Sequence, residues 1–299
     1  ALFVTTAVIM AVLIVFHKNL GPAADPGQEL AKKIISCVVI AAACFAFIHW
    51  YDKFTGLPVE LFQNRHLIWK LAKNDFKKRY AGSYLGAVWA MAQPVVTVAM
   101  YYIVFDKIMG NTSTPLREGV EVPFVLFLTA GLVPWFYFSE ALNNGIIKII
   151  AATFIHVFFV CLLLIVAAIY GYYPTIYTIQ IVYYSFCLFI FVLALSYTTC
   201  AVVVFFRDLS QIISIGLQIG MWATPILWNL DSLSGNWITI LKLNPLVYIV
   251  NGYRSAIYEK EWFFQDFFST MYFWIVTVVL FGLGAVIFKR LKVHFADVL

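Results

Sequence analysis

Long uninterrupted runs of apolar residues dominate the chain, and short polar segments separate them. Six such runs follow residue 83: Tyr84–Phe105, Pro123–Leu142, Ile149–Tyr170, Ile176–Phe206, Leu209–Leu227 and Phe268–Phe288. As helices they are about long enough to cross a hydrocarbon core of about 30 Å. Barrel strands would instead need short segments of alternating polarity, which these runs lack. The pattern therefore predicts an all-α, polytopic helical membrane protein with a core of six helices.

Two further apolar runs, Ala1–Phe16 and Ile34–Trp50, precede this core. They flank a segment that contains proline and glycine, His17–Lys33. A signal peptide is the competing interpretation of the first run, but no basic segment precedes it and no small-residue cleavage site stands out. We interpret residues 1–51 as an additional N-terminal transmembrane hairpin, which brings the expected number of helices to eight.

A basic segment, residues 52–82, joins the hairpin to the core, and its part Asn64–Tyr80 has the pattern of an amphipathic helix. Apolar residues recur at helical spacing on one side, and lysines fill the other: Ile68, Leu71, Ala72, Phe76 and Tyr80 against Lys70, Lys73, Lys77 and Lys78. Such a helix lies in the membrane interface with its cations among lipid phosphates. A solvated helix between two domains is the alternative, which the long apolar run directly after Ser83 disfavours.

The segment Trp228–Phe267 lies between the fifth and sixth core runs. It is too polar to span the membrane and too apolar for a free loop, and Asn244-Pro245 divides it into two pieces. Broken backbone at membrane depth is tolerated where protein or a water-filled cavity covers it. We therefore expect a pair of short re-entrant helices at about residues 229–267, on the outer side of the membrane.

Composition and charge agree with a membrane protein. Hydrophobic residues make up 63% of the chain and charged residues only 12%, about half the charge of a soluble domain. Lysine and arginine are concentrated around the basic helix, which by the positive-inside rule places that helix and both termini in the cytoplasm. The net charge of +5 therefore reflects the cytoplasmic side of a membrane protein and does not indicate nucleic-acid binding. The five cysteines lie within apolar runs without the spacing of a metal site.

Sequence motifs for ATP hydrolysis or metal chemistry are absent from the chain. There is no GxxxxGK[ST] phosphate loop, no HExxH and no CxxC. Ion-coupled carriers usually keep ionisable residues at mid-membrane, and here the candidates are His156, Glu140 and the Arg207-Asp208 pair. We interpret His156 as a histidine of a helix interface rather than a proton relay. The energy source is accordingly expected on another chain.

Six stretches of the sequence together carry a resemblance to a known family. In chain order they are DFKKRYAGSYLGAVWAMAQPVV, FVLFLTAGLVPWFYF, FFRDLSQI, TPILW, LKLNPLVYIVNGYRSAI and the closing LKVHFADVL. From about Leu67 to Leu299 the chain resembles the permease subunit of type-2 ABC exporters (ABC-2), in the branch that moves O-antigen, wall teichoic acid or another lipid-linked polysaccharide. The resemblance implies a homodimer in the plasma membrane that binds two copies of an ABC ATPase subunit. ATP and magnesium would bind to that partner, and this chain would bind no cofactor, no metal and no nucleic acid.

The resemblance also implies a path for a lipid-linked glycan or polyol phosphate polymer among the membrane lipids, with no catalytic residue on this chain. The lipid head or pyrophosphate entrance would use Arg65, Lys77, Lys78 and Arg79. The first and fifth core helices would line the channel with Gln93, Thr97, Tyr101, Tyr102, Ser214, Gln218, Trp222 and Trp228. The outer gate would contain Asn244, Pro245, Tyr248, Tyr253 and Arg254.

The chain departs from the family pattern between the second and third core helices. The family carries some twenty further residues there, including a coupling helix that docks on the ATPase, whereas here Asn144-Gly145 runs directly into Ile146. Either the coupling helix is lost, or a segment is missing between Gly145 and Ile146. We prefer the second interpretation, because a permease without that contact could not receive the power stroke, and we expect the backbone to be interrupted at this point.

Two other functions remain open at the level of the sequence. One is an integral-membrane glycosyltransferase or ligase of the same pathway, which would need acidic residues in an outer loop. The outer acids, such as Asp106, Glu118 and Asp231, are scattered and resemble solvated loop charges. The other is an ABC-2 exporter of a drug or peptide, which would share the fold and differ in cargo.

Overall fold

The computed structural model describes residues 8, 11–12, 14–16, 26–49, 56, 59–60, 62–79, 88–110, 113–115, 121–144, 146–206, 208–230, 233 and 236–294. In these residues the α-helices are α1 (Pro26–His49), α2 (Arg65–Arg79), α3 (Val88–Tyr101), α4 (Phe124–Asn144), α5 (Ile146–Ile169), α6 (Gln180–Val203), α7 (Leu209–Ala223), α8 (Asn236–Lys242), α9 (Pro245–Arg254) and α10 (Phe267–Lys292). Two π-helices, Tyr102–Ile108 and Ser255–Glu259, continue α3 and α9, and a 3₁₀ turn, Ile176–Ile179, precedes α6.

Four helical segments of the described chain are long and apolar enough to cross a membrane. They are Phe124–Leu142, Ile149–Ile169, Ile176–Val203 and Phe267–Lys292. They correspond to four of the six predicted core runs, so the prediction of a polytopic helical membrane protein is confirmed.

The first and fifth predicted runs form shorter α-helices than expected. Helix α3 passes into a π-helix at Tyr102. Helix α7 ends at Ala223, although the apolar run continues to Leu227. Pro225 explains this end, because a proline drives the preceding residue out of the helical region, and Thr224 is extended. Fifteen residues of α-helix span only about 22 Å.

The helices alternate in direction, which gives the bundle two distinct ends. At one end, here called the basic end, Lys292 Nζ in the last turn of α10 lies 3.8 Å from Oε1 of Glu60, which precedes α2. Lys289 and Arg290 belong to the same last turns of α10. The junction of α4 and α5 and the C-terminus of α6 also lie at the basic end. The opposite end holds the turn at Gly171 and the segment between α7 and α10.

Close backbone approach holds the core helices together. Helices α6 and α10 pack along much of their length, and Gly284 makes this possible, because a Cβ atom there would lie 2.8 Å from Thr198 Oγ1. Helices α4 and α5 form an antiparallel hairpin. Helix α1 packs against α10, and Lys33 of α1 donates a hydrogen bond to the carbonyl of Val15. That bond joins the two arms of the predicted N-terminal hairpin, whose domain boundary stays a prediction.

A small β-hairpin, which the sequence pattern did not predict, precedes α4. Strands β1 (Ser113–Pro115) and β2 (Glu121–Pro123) pair antiparallel, with Thr114 opposite Val122. Three-residue strands that end in proline are too short to show an alternating pattern, so the sequence carries no usable signal for them. The hairpin turns the chain from the π-helix after α3 into the first long helix of the bundle.

The predicted break at Asn244-Pro245 separates two short helices, α8 and α9. Asn244 caps α9, because its side-chain oxygen accepts the backbone N–H of Leu246 at 3.1 Å. Pro245 occupies the first helical turn, where a missing N–H costs nothing. Helix α9 packs against α4, α6 and α10, and seven of its residues are buried. The assignment of residues 229–267 to a re-entrant pair on the outer side stays a prediction.

The expected interruption after Gly145 falls outside the described residues. Helix α4 ends at Asn144 and α5 begins at Ile146. That a segment with the coupling helix is missing between Gly145 and Ile146 therefore stays a prediction.

Candidate transport site

Helix α2 carries the predicted entrance cations at the basic end. Arg65 is exposed, donates to the carbonyl of Phe62 at 3.0 Å, and holds its guanidinium 4.9 Å from the centre of the Phe62 ring. Lys77, Lys78 and Arg79 form the last turn of α2, and their side chains lie outside the described residues. The helix is thus present where it was predicted, and the grouping of its four cations stays a prediction.

Helix α2 is held in place by α5. Ala72 is buried at this contact, and the Trp69 ring meets Phe154 of α5 edge-on at 5.3 Å. Of the predicted apolar face, Ile68 is half-buried but Leu71 is exposed. Helix α2 thus contacts the bundle through Ala72 and the edge of the Trp69 ring, while Leu71 of the predicted face is exposed.

Six of the predicted channel residues lie on α3 and α7, whose outward faces are apolar and exposed. Tyr102 lies in the π-helix after α3, and Trp228 lies in the turn after α7. Helix α3 packs against α4 and α5, and helix α7 packs against α4 and α6. Within α7 Leu217 is buried, and four large side chains are exposed: Ile212, Ile215, Ile219 and Trp222. Gln218 is exposed and Thr97 and Ser214 are half-buried, whereas the side chain of Gln93 lies outside the described residues.

The aromatic channel residues take part in local contacts. Tyr101 lies against Phe105, and Lys107 holds its ammonium 5.4 Å from the centre of the Tyr102 ring. Residues five apart adjoin in a π-helix, so the π-helix after α3 creates the second contact. Trp228 donates its indole N–H to the carbonyl of Trp222 at 3.1 Å and fixes the turn after α7.

At the start of the predicted outer gate, side chains tie α9 to its surroundings. The amide of Asn244 donates to Thr224 Oγ1 at 2.9 Å, which joins the start of α9 to the end of α7. The hydroxyl of Tyr248 lies 3.2 Å from that of Tyr183 on α6 and 3.0 Å from Thr270 Oγ1 on α10. The gate helix is therefore connected to three neighbouring elements by hydrogen bonds.

Tyr253 of α9 is fully buried and belongs to a cluster of three polar side chains. Its hydroxyl lies 2.8 Å from His156 Nε2 on α5 and 2.6 Å from Ser185 Oγ on α6. His156 Nε2 also lies 3.2 Å from Ser185 Oγ. The interpretation of His156 as a histidine of a helix interface is confirmed, since its ring is buried and packs against Tyr137 of α4 with centroids 4.9 Å apart.

Arg254, which was expected among the charges of the outer gate, is buried inside the bundle. Its guanidinium carbon lies 3.6 Å from the centre of the Phe127 ring, and Nη2 donates to the carbonyl of Ile226 at 3.2 Å. Gly131 leaves room for this group, because a Cβ there would approach Nη2 to 3.3 Å. Within the described chain, Arg254 Nε and the buried hydroxyl of Tyr258 have no hydrogen-bond partner. The charge is compensated mainly by an aromatic face.

Sequence reasoning missed the partners of these gate residues. Phe127, Thr224 and Ser185 lie far from α9 in the sequence and carry no motif. The recurrence of Tyr248, Tyr253 and Tyr258 at every fifth residue was the one available signal, since hydroxyls on a short apolar segment need buried partners.

Metal or covalent chemistry finds no support in the described residues. They contain no group of three His, Cys, Asp or Glu side chains that could hold a metal ion, and their five cysteines are free thiols. What the described geometry offers is a basic helix at one end, exposed apolar helix faces, and a buried short helix at the other end.

Comparison with known proteins identifies this arrangement. The model of the ABC-2 type transporter family matches residues 145–258, which run from the start of α5 to the π-helix after α9. Residues 145–258 are similar to the membrane domain of ABC-2 type transporters. The matched stretch includes His156, Ser185, Tyr253 and Arg254.

Three relatives match most of the chain. The O-antigen export system permease protein RfbA of Myxococcus xanthus is 29% identical over 263 residues, which cover 80% of this chain and 97% of the relative. Two RfbA permease proteins of Klebsiella pneumoniae are each 26% identical over 255 residues, covering 77% of this chain and 93% of the relative. Nearly the whole length of each relative therefore has a counterpart here, while about a fifth of this chain lies outside the match.

Proposed function

We propose that this chain is the permease subunit of an ABC exporter that moves a lipid-linked polysaccharide of the O-antigen kind outward across the plasma membrane. The observation that carries the proposal is the near full-length match to three relatives that are all named O-antigen export permeases. The glycosyltransferase or ligase alternative is not favoured, since these relatives are permeases. Wall teichoic acid polymers, drugs and peptides are the competing cargoes. A transport assay that offers each of them to the exporter distinguishes them from polysaccharide.

Transport energy comes from a partner in this proposal. The chain has no GxxxxGK[ST] loop, so a separate ABC ATPase subunit would bind ATP and magnesium. Two ATPase copies would dock at the basic end, close to the junction of α4 and α5. The same end, with its lysines and arginines on α2 and α10, would face the cytoplasm together with both termini.

The polymer would pass between two copies of this chain. A second copy placed against α3 and α7 would enclose the channel residues between the subunits and cover the exposed apolar faces of these two helices. Sugar rings have flat apolar faces that stack on aromatic side chains, and Trp222 and Tyr102 lie on these two segments. Helices α8 and α9 would form the outer gate of this channel.

The lipid pyrophosphate would enter beside α2. Phosphate groups form strong charge-assisted hydrogen bonds with arginine and lysine, and each basic residue at a membrane surface contributes about 1 kcal/mol of attraction to anionic lipid. Four such residues lie on this one helix: Arg65, Lys77, Lys78 and Arg79. Since α2 is anchored on α5 through Ala72 and Trp69, its cations would be held at a fixed place beside the bundle.

Replacing Lys77, Lys78 and Arg79 together with glutamine is expected to lower polymer export several-fold at an unchanged membrane level of the protein. Three phosphate contacts are lost, whereas the apolar packing of α2 on α5 stays. The measurement compares surface polysaccharide with the amount of permease in the membrane fraction.

A matched variant with Lys289, Arg290 and Lys292 replaced by glutamine serves as the control. It removes equally many cations from the same end of the bundle, on α10, and export is expected to stay close to normal. If these residues act only through the positive-inside rule, both triple variants will instead lose membrane protein alike. Normal export by the α2 variant at a normal level would remove these residues from the entrance.

A further inference from the structure

One turn of α5, from Phe154 to His156, contacts both the proposed entrance helix α2 and the proposed gate helix α9. On one side Phe154 meets Trp69 of α2, the entrance helix, with ring centroids 5.3 Å apart. Two residues further on, His156 Nε2 lies 2.8 Å from the hydroxyl of Tyr253 on α9, the gate helix. Side chains two residues apart project from different sides of a helix, so this turn contacts α2 on one side and α9 on another.

The contact with α9 is directional, and its geometry is fixed by the neighbours of His156. Tyr137 of α4 stacks obliquely on the imidazole, and its hydroxyl lies 3.2 Å from Thr153 Oγ1, one turn earlier on α5. Ser185 of α6 closes a triangle of hydrogen bonds with His156 and Tyr253. Because His156 and Tyr253 are buried, each hydrogen bond lost between them leaves a polar atom without water to replace the partner.

We propose that the His156–Tyr253–Ser185 cluster is a latch that keeps α9 closed, and that α5 connects this latch to α2 through the Trp69–Phe154 contact. The inference rests on the proposed function, in which α2 receives the lipid head and α9 closes the exit. A displacement of α5 of about 1 Å would lengthen the 2.8 Å contact beyond hydrogen-bond range. Packed helices pass such shifts on as discrete rearrangements. His156 and Ser185 are thus positioning residues of the gate. Trp69 is the residue through which a movement of α2 reaches α5.

The latch is tested by measuring how often α9 leaves its packed position. Leu246 of α9 is buried under the closed gate, so a cysteine at this position reacts with a membrane-impermeant maleimide only when α9 moves. The background protein carries Leu246→Cys with alanine at the five native cysteines, in intact cells with the partner ATPase co-expressed. Tyr253→Phe removes one hydroxyl and keeps the ring that fills the site. We expect it to raise the labelling rate about two- to tenfold, the range of one net hydrogen bond.

Two comparisons separate a latch from general loosening of the bundle. Tyr173→Phe removes a hydroxyl from a tyrosine that is 70% exposed, and labelling is expected to stay at the background rate. His156→Leu should raise labelling as Tyr253→Phe does, whereas His156→Gln, whose amide can still reach Tyr253, should restore slow labelling. Equal labelling rates of the background protein, Tyr253→Phe and His156→Leu would overturn the latch.

The connection to the entrance requires its own comparison. Trp69→Leu is expected to change the labelling rate in the background protein and to have much less effect once Tyr253→Phe has removed the latch. Independent effects that multiply in the double variant would overturn the coupling. Labelling does not depend on the identity of the cargo. If the latch experiment fails, the proposal of polysaccharide export is therefore unaffected. If the cargo is a different one, the latch can still be measured.

Discussion

Replacing Gly252 with alanine is expected to lower the free energy of unfolding by about 3 kcal/mol, at the upper end of what overpacking costs. A Cβ atom at this position would overlap the ring of Tyr184, well inside van der Waals contact. Tyr184 cannot yield easily, since it is itself buried between Tyr183 and Tyr248, with ring centroids 5.2 Å and 5.4 Å away. Helix α9 would have to move away from α6. Thermal or denaturant unfolding of the purified protein in detergent measures the change.

Gly216→Ala is the matched control for this substitution. Gly216 lies on α7, and a Cβ there would have no neighbour within 4 Å. Alanine is favoured over glycine in a helix by up to about 1 kcal/mol, so this variant should unfold at the same or a higher temperature. A second variant, Gly252→Ala with Tyr184→Ala, should behave as Tyr184→Ala alone, because the clash is gone. Equal stability of the two single glycine variants would show that α9 does not pack on α6 through Gly252.

Substitutions of the two partners in the buried cation–π pair are expected to change the free energy of unfolding in opposite directions. Phe127→Leu removes the aromatic face beneath the Arg254 guanidinium and should cost at least about 2 kcal/mol of stability, since it leaves a buried charge poorly compensated. Arg254→Met removes the charge at similar length. It should be neutral or stabilising, because the cost of desolvating the guanidinium disappears with it. Unfolding of the four proteins of a double-mutant cycle measures both effects.

The cycle also gives the coupling between the two side chains. Phe127→Leu should cost clearly less in the Arg254→Met background, because the ring then packs only against apolar atoms. An equal cost in both backgrounds would mean that Phe127 acts through packing alone. A large loss of stability in Arg254→Met would mean that the hydrogen bond to the Ile226 carbonyl outweighs the cost of burying the charge.

The hydrophobic pattern predicted the long helices because each of them carries an apolar run that is sufficient evidence by itself. Local chemistry also predicted the break before α9, where Asn244 caps the helix and Pro245 begins it. The early end of α7 was predictable in principle from Pro225, but apolar character outweighed that signal. The β-hairpin before α4 was not predictable, because three residues per strand show no periodicity.

The candidate site was predicted only in part, and the reason is the sequence separation of its contacts. Tyr253 and Arg254 were assigned to the gate as residues of one short segment. Their partners lie on other helices: His156 is 97 positions from Tyr253, and Phe127 belongs to α4. A pattern within one segment identifies which residues need partners, but only the packing of the helices determines which partners they find.

We propose that this chain is a transport subunit that depends on a separate ATPase and carries a lipid-linked polysaccharide. The most direct measurement compares the purified chain with the chain co-purified with the proposed ABC ATPase subunit, both in vesicles. We expect no ATP hydrolysis by the chain alone. The complex should hydrolyse ATP and move lipid-linked O-antigen across the vesicle membrane, and it should leave teichoic acid polymers, drugs and peptides behind. ATP hydrolysis at an ordinary ABC rate by the chain alone, or sugar transfer by it, would contradict the claim.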